Sequence, residues 1–136
     1  MKAPWTKPLF YLAALYDGLL GLAFLFFWRQ VFAAFEVTPP NHAGYAQFPA
    51  LLLIIFGAMF LQIARDPQRH RNLILYGIAL KVAYTGTTFF HELTGGIPSM
   101  WMWWAWADLA FLVLFIVAYR ALDEHRARAA VVPAAT

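Results

Sequence analysis

The sequence predicts an all-α membrane protein, a bundle of four transmembrane helices with both termini on the cytoplasmic side. Hydrophobic residues make up 62% of the 136 positions and charged ones only 12%, against roughly 45–50% and 25% in a soluble domain. Apolar stretches at 9–28, 49–64, 73–90 and 100–119 each approach the ~20 residues that cross a bilayer as a helix. Basic residues divide unevenly between the connecting segments. Lys2, Lys7, Arg65, Arg69, Arg71, Arg120, Arg126 and Arg128 fall on one side, Arg29 on the other and Lys81 inside a span. That imbalance is the positive-inside signal, and it sets the termini and the loop 65–72 in the cytoplasm.

The first stretch follows Lys2 and Lys7 as a signal peptide would, yet it outruns a 7–15-residue signal core and contains Asp17, so it stays as a helix. Beyond Trp28, residues 31–35 read as a short interfacial helical turn lying on the membrane and ended by Thr38-Pro39-Pro40-Asn41. The second stretch is the shortest, and residues 45–48 extend it. Arg65-Asp66-Pro67 stops it, and the basic loop that follows suits anionic lipid headgroups. The third ends at His91-Glu92. The fourth opens on Trp101, Trp103, Trp104 and Trp106, an outer aromatic belt. It continues helically through 121–130, giving a transmembrane domain at 1–122 and a cytoplasmic tail at 123–136 with frayed last residues.

The absence of cysteine excludes disulfides, thiolate nucleophiles and thiolate metal centres. The net charge of +3 reflects topology, and no nucleic-acid partner is expected.

Asp17, Lys81 and Asp108 lie within spans, where ionisable side chains face the bundle interior and pair with one another. Counting ~1.5 Å per residue from the helix ends brings all of them to the midplane, level with Gly57. Ala13, Ala14, Asp17, Gly18 and Gly21 form a small-residue face suited to close helix packing. On the third helix Gly77, Lys81, Tyr84, Thr85, Thr88, His91 and Glu92 share a stripe of about 120°. The expected site is therefore an outward-open pocket around the Asp17–Lys81–Asp108 cluster, lined by Tyr16, Gly57, Tyr84, Thr85, Thr88, His91 and Glu92. Two carboxylates against one ammonium predict that one carboxyl accepts a hydrogen bond from Tyr16 or Tyr84, or carries a proton.

His91, Glu92, Glu36 and His42 face the same side and are of a type that binds zinc or copper. Neighbouring helical residues point ~100° apart, however, and no metal site is expected. No cofactor is predicted either, although the aromatic cluster around 100–106 suits a quinone or a lipid. No nucleophile–base pair, phosphate-binding glycine loop, H-E-x-x-H or bis-histidine haem pattern occurs, so the balance is against an enzyme, and the pocket alone keeps that class open.

Tyr16-Asp17-Gly18 with Gly21, Gly57 followed by Arg65-Asp66-Pro67, Lys81, and Pro98 followed by Asp108 together resemble the small bacterial four-helix membrane proteins of the DoxX-like families. The likeness runs over most of 9–122. It implies the bacterial inner membrane and, since some members resemble subunits of quinone-linked oxidoreductases, service beside a larger redox partner. The first functional expectation is thus a non-catalytic subunit or assembly factor of a membrane complex, with membrane lipids and either other membrane proteins or further copies of the chain as partners. The second is a small-ligand, lipid or quinone binder, or an enzyme, using the outward-open pocket. The third is a proton-coupled transporter acting as a homodimer.

Overall fold

The computed structural model describes residues 3–131. Lys2 and the chain end 132–136 lie outside the described residues. Four helices, α1 (Thr6–Ala34), α2 (Gly44–Arg65), α3 (Ile74–Thr94) and α4 (Ser99–Val131), follow one another, with a single 3-10 turn at Arg71–Leu73 leading into α3. All four are long and apolar enough to cross a membrane. Their outward faces carry large apolar side chains such as Leu12, Leu15, Leu19 and Phe26, which are stable in that position against lipid rather than water.

The short helical segment expected near residues 31–35 is present: it runs to Ala34, joined to the body of α1 across a break at Phe27 (φ −126, ψ 24). The break re-aims the last turns across the end of the bundle, and Phe32 is buried with Phe24, Ala50 and Met100. The helix ends before the prolines, at Ala34, and Glu36, with a φ of 55, turns the chain. The aromatic belt is divided likewise. Trp103 and Trp106 are exposed, whereas Trp101 and Trp104 pack against the end cluster.

The bundle is built from two hairpins. α1 packs chiefly on α2, and α3 on α4, with few backbone approaches between the pairs. The α1–α2 seam uses the small face of α1. A Cβ placed on Gly57 would stand 3.1 Å from the Gly18 nitrogen and 3.2 Å from the Ala14 carbonyl oxygen. The loop between the hairpins is fastened to α4. Arg71 Nε donates to the Tyr119 carbonyl at 2.9 Å, and its guanidinium lies 3.5 Å over the Tyr119 ring. Gln68 donates to the Leu122 carbonyl at 3.2 Å.

Two apolar clusters occupy the two halves. Phe10, Phe60, Phe115, Ile63 and Ile74 fill the half nearer the termini, all fully buried. Phe10 stacks on Phe115 at 4.9 Å, and Phe60 lies 5.1 Å from the same ring. The second cluster, around Phe24 and Phe32, closes the far end. Between them sit the buried charges.

Candidate functional site: a buried ion triad beside an aromatic cavity

Each hairpin contributes to the charged centre. Asp17 comes from α1, at its small face; Lys81 from the middle of α3; Asp108 from α4, two turns after the start of the tryptophan run. Lys81 Nζ lies 3.0 Å and 3.2 Å from the two carboxylate oxygens of Asp17 and 2.9 Å from Asp108 Oδ1. Asp17 is 0% exposed, Lys81 1% and Asp108 7%. The ammonium also lies 5.4 Å from the Tyr16 ring centre, 5.7 Å from Phe60 and 5.4 Å from Phe111, so π faces surround what the carboxylates leave open. Such an arrangement survives burial because every charge has a partner; one member alone would carry a desolvation cost of several kcal/mol.

A cavity of about 150 Å³ adjoins the triad on the side away from the Phe10–Phe60–Phe115 cluster, lined by Tyr16, Asp17, Leu20, Phe24, Tyr45, Ala46, Pro49, Ala50, Leu53, Tyr84, Trp101, Trp104 and Asp108. Its walls come from α1, the first half of α2 and the first half of α4, with Tyr84 the one contribution of α3. Asp108 retains what exposure the triad has, 10% of its side chain against 1% for Asp17.

The tyrosines do not reach the carboxylates. Tyr84 instead donates to the Trp101 carbonyl at 2.9 Å, tying α3 to the start of α4. The Tyr16 hydroxyl and the Trp104 indole nitrogen are buried and have no hydrogen-bond partner among the described residues. Their rings are neighbours, with centres 6.5 Å apart. Two donors left unpaired in an apolar interior are costly, on the order of 1–3 kcal/mol each, and buried polar groups without partners are rare enough to require a reason.

The polar stripe of α3 therefore divides. Tyr16 and Tyr84 line the cavity. Gly57 does not, because it is occupied in the α1–α2 contact. Thr85 and Thr88 are buried but do not line the cavity. The Thr85 hydroxyl is satisfied by its own helix, donating to the Lys81 carbonyl at 2.6 Å. His91 and Glu92 are exposed at the helix end, where Glu92 accepts from the Ile97 amide at 3.1 Å and holds the α3–α4 turn. His42 accepts from the Gly44 amide at 3.0 Å through Nδ1, a local turn contact. No group of three or more metal-ligating side chains is assembled among the described residues.

Sequence reasoning missed Leu20, Phe24 and Tyr45 as cavity walls, and it offered the aromatic cluster around 100–106, to which Trp101 and Trp104 belong, for a quinone or a lipid without joining it to the Asp17–Lys81–Asp108 cluster. A signal for them existed. Tyr16, Leu20 and Phe24 follow one another at intervals of four, and Trp101, Trp104 and Asp108 at three and four, so each set shares a helix face with a triad carboxylate.

Comparison of the chain with family models, curated proteins and solved structures finds no match.

Proposed function

We propose that the chain is an integral protein of the bacterial cytoplasmic membrane, termini inside, and that it binds a small membrane-borne ligand in the cavity between Trp104 and Asp108. The observation that carries this reading is the pair of unpartnered donors, Tyr16 O–H and Trp104 N–H, on side chains that wall a cavity of about 150 Å³. An apolar void near that size takes a single six-membered ring. Tyr16 O–H and Trp104 N–H, on a wall that is aromatic and aliphatic apart from the Lys81-bound carboxylates Asp17 and Asp108, select an acceptor on that ring or beside it, as a quinone carbonyl or a lipid ester would offer. Lys81 serves by holding the two carboxylates and hence α1 and α4 in register around the cavity.

Native mass spectrometry of the protein extracted gently from its own membrane tests the reading. Tyr16→Phe and Trp104→Phe keep both rings while removing the donors. The reading predicts a retained small mass on the wild-type chain that both variants lose. A bare monomer from every variant sinks it, and a large hetero-complex with an empty cavity transfers the weight to the accessory-subunit role.

A further inference from the structure

A second recess lies at the opposite end of the bundle, and its chemistry is of the opposite kind. It has a volume of about 700 Å³, and its charged and polar lining includes Lys7, Arg65, Asp66, Gln68 and His125. Its floor is buried: Thr6 is 2% exposed and Leu122 4%, and Pro67 is buried beside them. Charged groups thus stand around a sheltered base rather than scattered on a convex surface.

Three independent features point to one class of ligand. The basic groups come from three different helices, Lys7 from the first turn of α1, Arg65 from the last turn of α2, and His125 from the extension of α4. The first turn of α1 holds no acidic residue, so the positive end of its dipole is not offset there. At the base, the Gln68 amide donates to the Leu122 carbonyl at 3.2 Å, which fixes its orientation, while its carbonyl oxygen Oε1 is buried with no partner among the described residues. A phosphate would meet the cations, and a hydroxyl hydrogen would meet the Gln68 oxygen.

We propose that this recess is a headgroup site for an anionic phospholipid, binding its phosphodiester through Lys7, Arg65 and His125 and a headgroup hydroxyl through Gln68 Oε1. Basic pockets between spanning helices recognise such headgroups. The position gives binding a structural consequence, because α1 and α2 form one hairpin and α4 belongs to the other. A phosphate held by Lys7, Arg65 and His125 bridges hairpins whose backbones otherwise approach each other at few points. The proposal is independent of the cavity near Trp104, since the two sites share no residue.

The test uses the full chain in nanodiscs of phosphatidylcholine containing a minor fraction of phosphatidylglycerol, with retained lipids weighed by native mass spectrometry. Phosphatidylglycerol should be retained in preference to phosphatidylcholine. It should also exceed phosphatidylmethanol, which has the same phosphodiester charge but no headgroup hydroxyl. Lys7→Gln and Arg65→Gln should each weaken retention about fivefold, the effect of removing one headgroup-facing cation. Lys7→Arg should restore it, which separates lost binding from lost folding. Arg69→Gln, in the same loop but outside the recess, should leave retention unchanged.

Equal retention of phosphatidylcholine and phosphatidylglycerol overturns the proposal, as does an equal loss in Arg69→Gln. Competition by free glycerol phosphate as strong as that by the lipid assigns the recess to a soluble phosphate ester and overturns the lipid assignment.

Discussion

Gly21 of α1 approaches the Ala50 carbonyl of α2 so closely that a Cβ on the glycine would stand 2.8 Å from that oxygen and 2.8 Å from Ile54 Cγ1. Backbone contact at this distance is what small residues permit between spanning helices. Gly18, one turn earlier, has nothing within 4 Å of the equivalent point. Gly21→Ala should therefore destabilise the bundle by about 1–3 kcal/mol through overpacking, and Gly18→Ala should be neutral. Unfolding of the detergent-solubilised variants in increasing SDS measures both. Equal effects at the two positions would show that helix propensity rather than the seam decides.

The ion triad predicts an order of damage. Lys81→Met leaves two carboxylates facing each other and should cost about 3–5 kcal/mol, the scale for breaking a buried pair. Asp108→Asn keeps the Asp17–Lys81 contact and should cost less. Replacing all three, Asp17→Leu with Lys81→Met and Asp108→Leu, should recover part of the loss, because no charge then remains to be desolvated. A triple variant less stable than Lys81→Met alone would contradict this account.

The topology proposed above can be read in intact cells, because the chain has no cysteine of its own. Asn41→Cys, in the loop between α1 and α2, should react with a membrane-impermeant maleimide. Ala127→Cys, near the end of α4, should react only after the cells are opened. The reverse pattern would invert the orientation.

Phe32 should matter more than a loop residue would. It is 6% exposed and meets Trp101 edge-on at 5.9 Å and Phe24 at 6.0 Å. Phe32→Ala should cost about 3 kcal/mol, the low end for a core phenylalanine, and should admit solvent toward the Trp104 cavity. Red-shifted tryptophan emission alongside lowered thermal stability is the expected result; unchanged emission would place the segment outside the packed end.

Arg71 offers a further check, with its Nε donating to the Tyr119 carbonyl and its plane lying on the Tyr119 ring. Lysine has neither the plane nor the fork. Arg71→Lys should therefore lower stability nearly as much as Arg71→Ala, by about 1–2 kcal/mol. Full retention of stability in the lysine variant would reduce the contact to simple charge.

Much of the architecture was legible because a bilayer imposes two strong rules, that a span must be long and apolar and that a charge within it must find a partner. Those rules reach the four helices and the convergence of Asp17, Lys81 and Asp108. They do not reach the break at Phe27, where no proline or glycine marks the position and the departure from helix is stabilised by where Phe32 packs. The cavity wall was harder for a similar reason. Periodicity gives the face on which a residue lies but not which neighbour that face meets, so the threonines of α3 read as pocket lining. Thr85 is in fact satisfied by the carbonyl of Lys81, as buried helical threonines often are. Leu20 and Phe24 of α1 carry no polar mark of a pocket, and the tryptophans of α4 fit an interfacial belt as well as a ligand wall.

The two-hairpin construction makes the molecule divisible. Cut between Arg69 and His70, it would yield two fragments, each with a pair of helices already packed on one another, and coexpressed halves should find each other in the bilayer. The halves are unequal in one respect. The second carries its own ion pair, Lys81 with Asp108, whereas the first carries Asp17 alone. An orphaned first half would thus display a solitary carboxylate in hydrocarbon, a mark by which membrane proteases could recognise it and clear it, while the second half persisted.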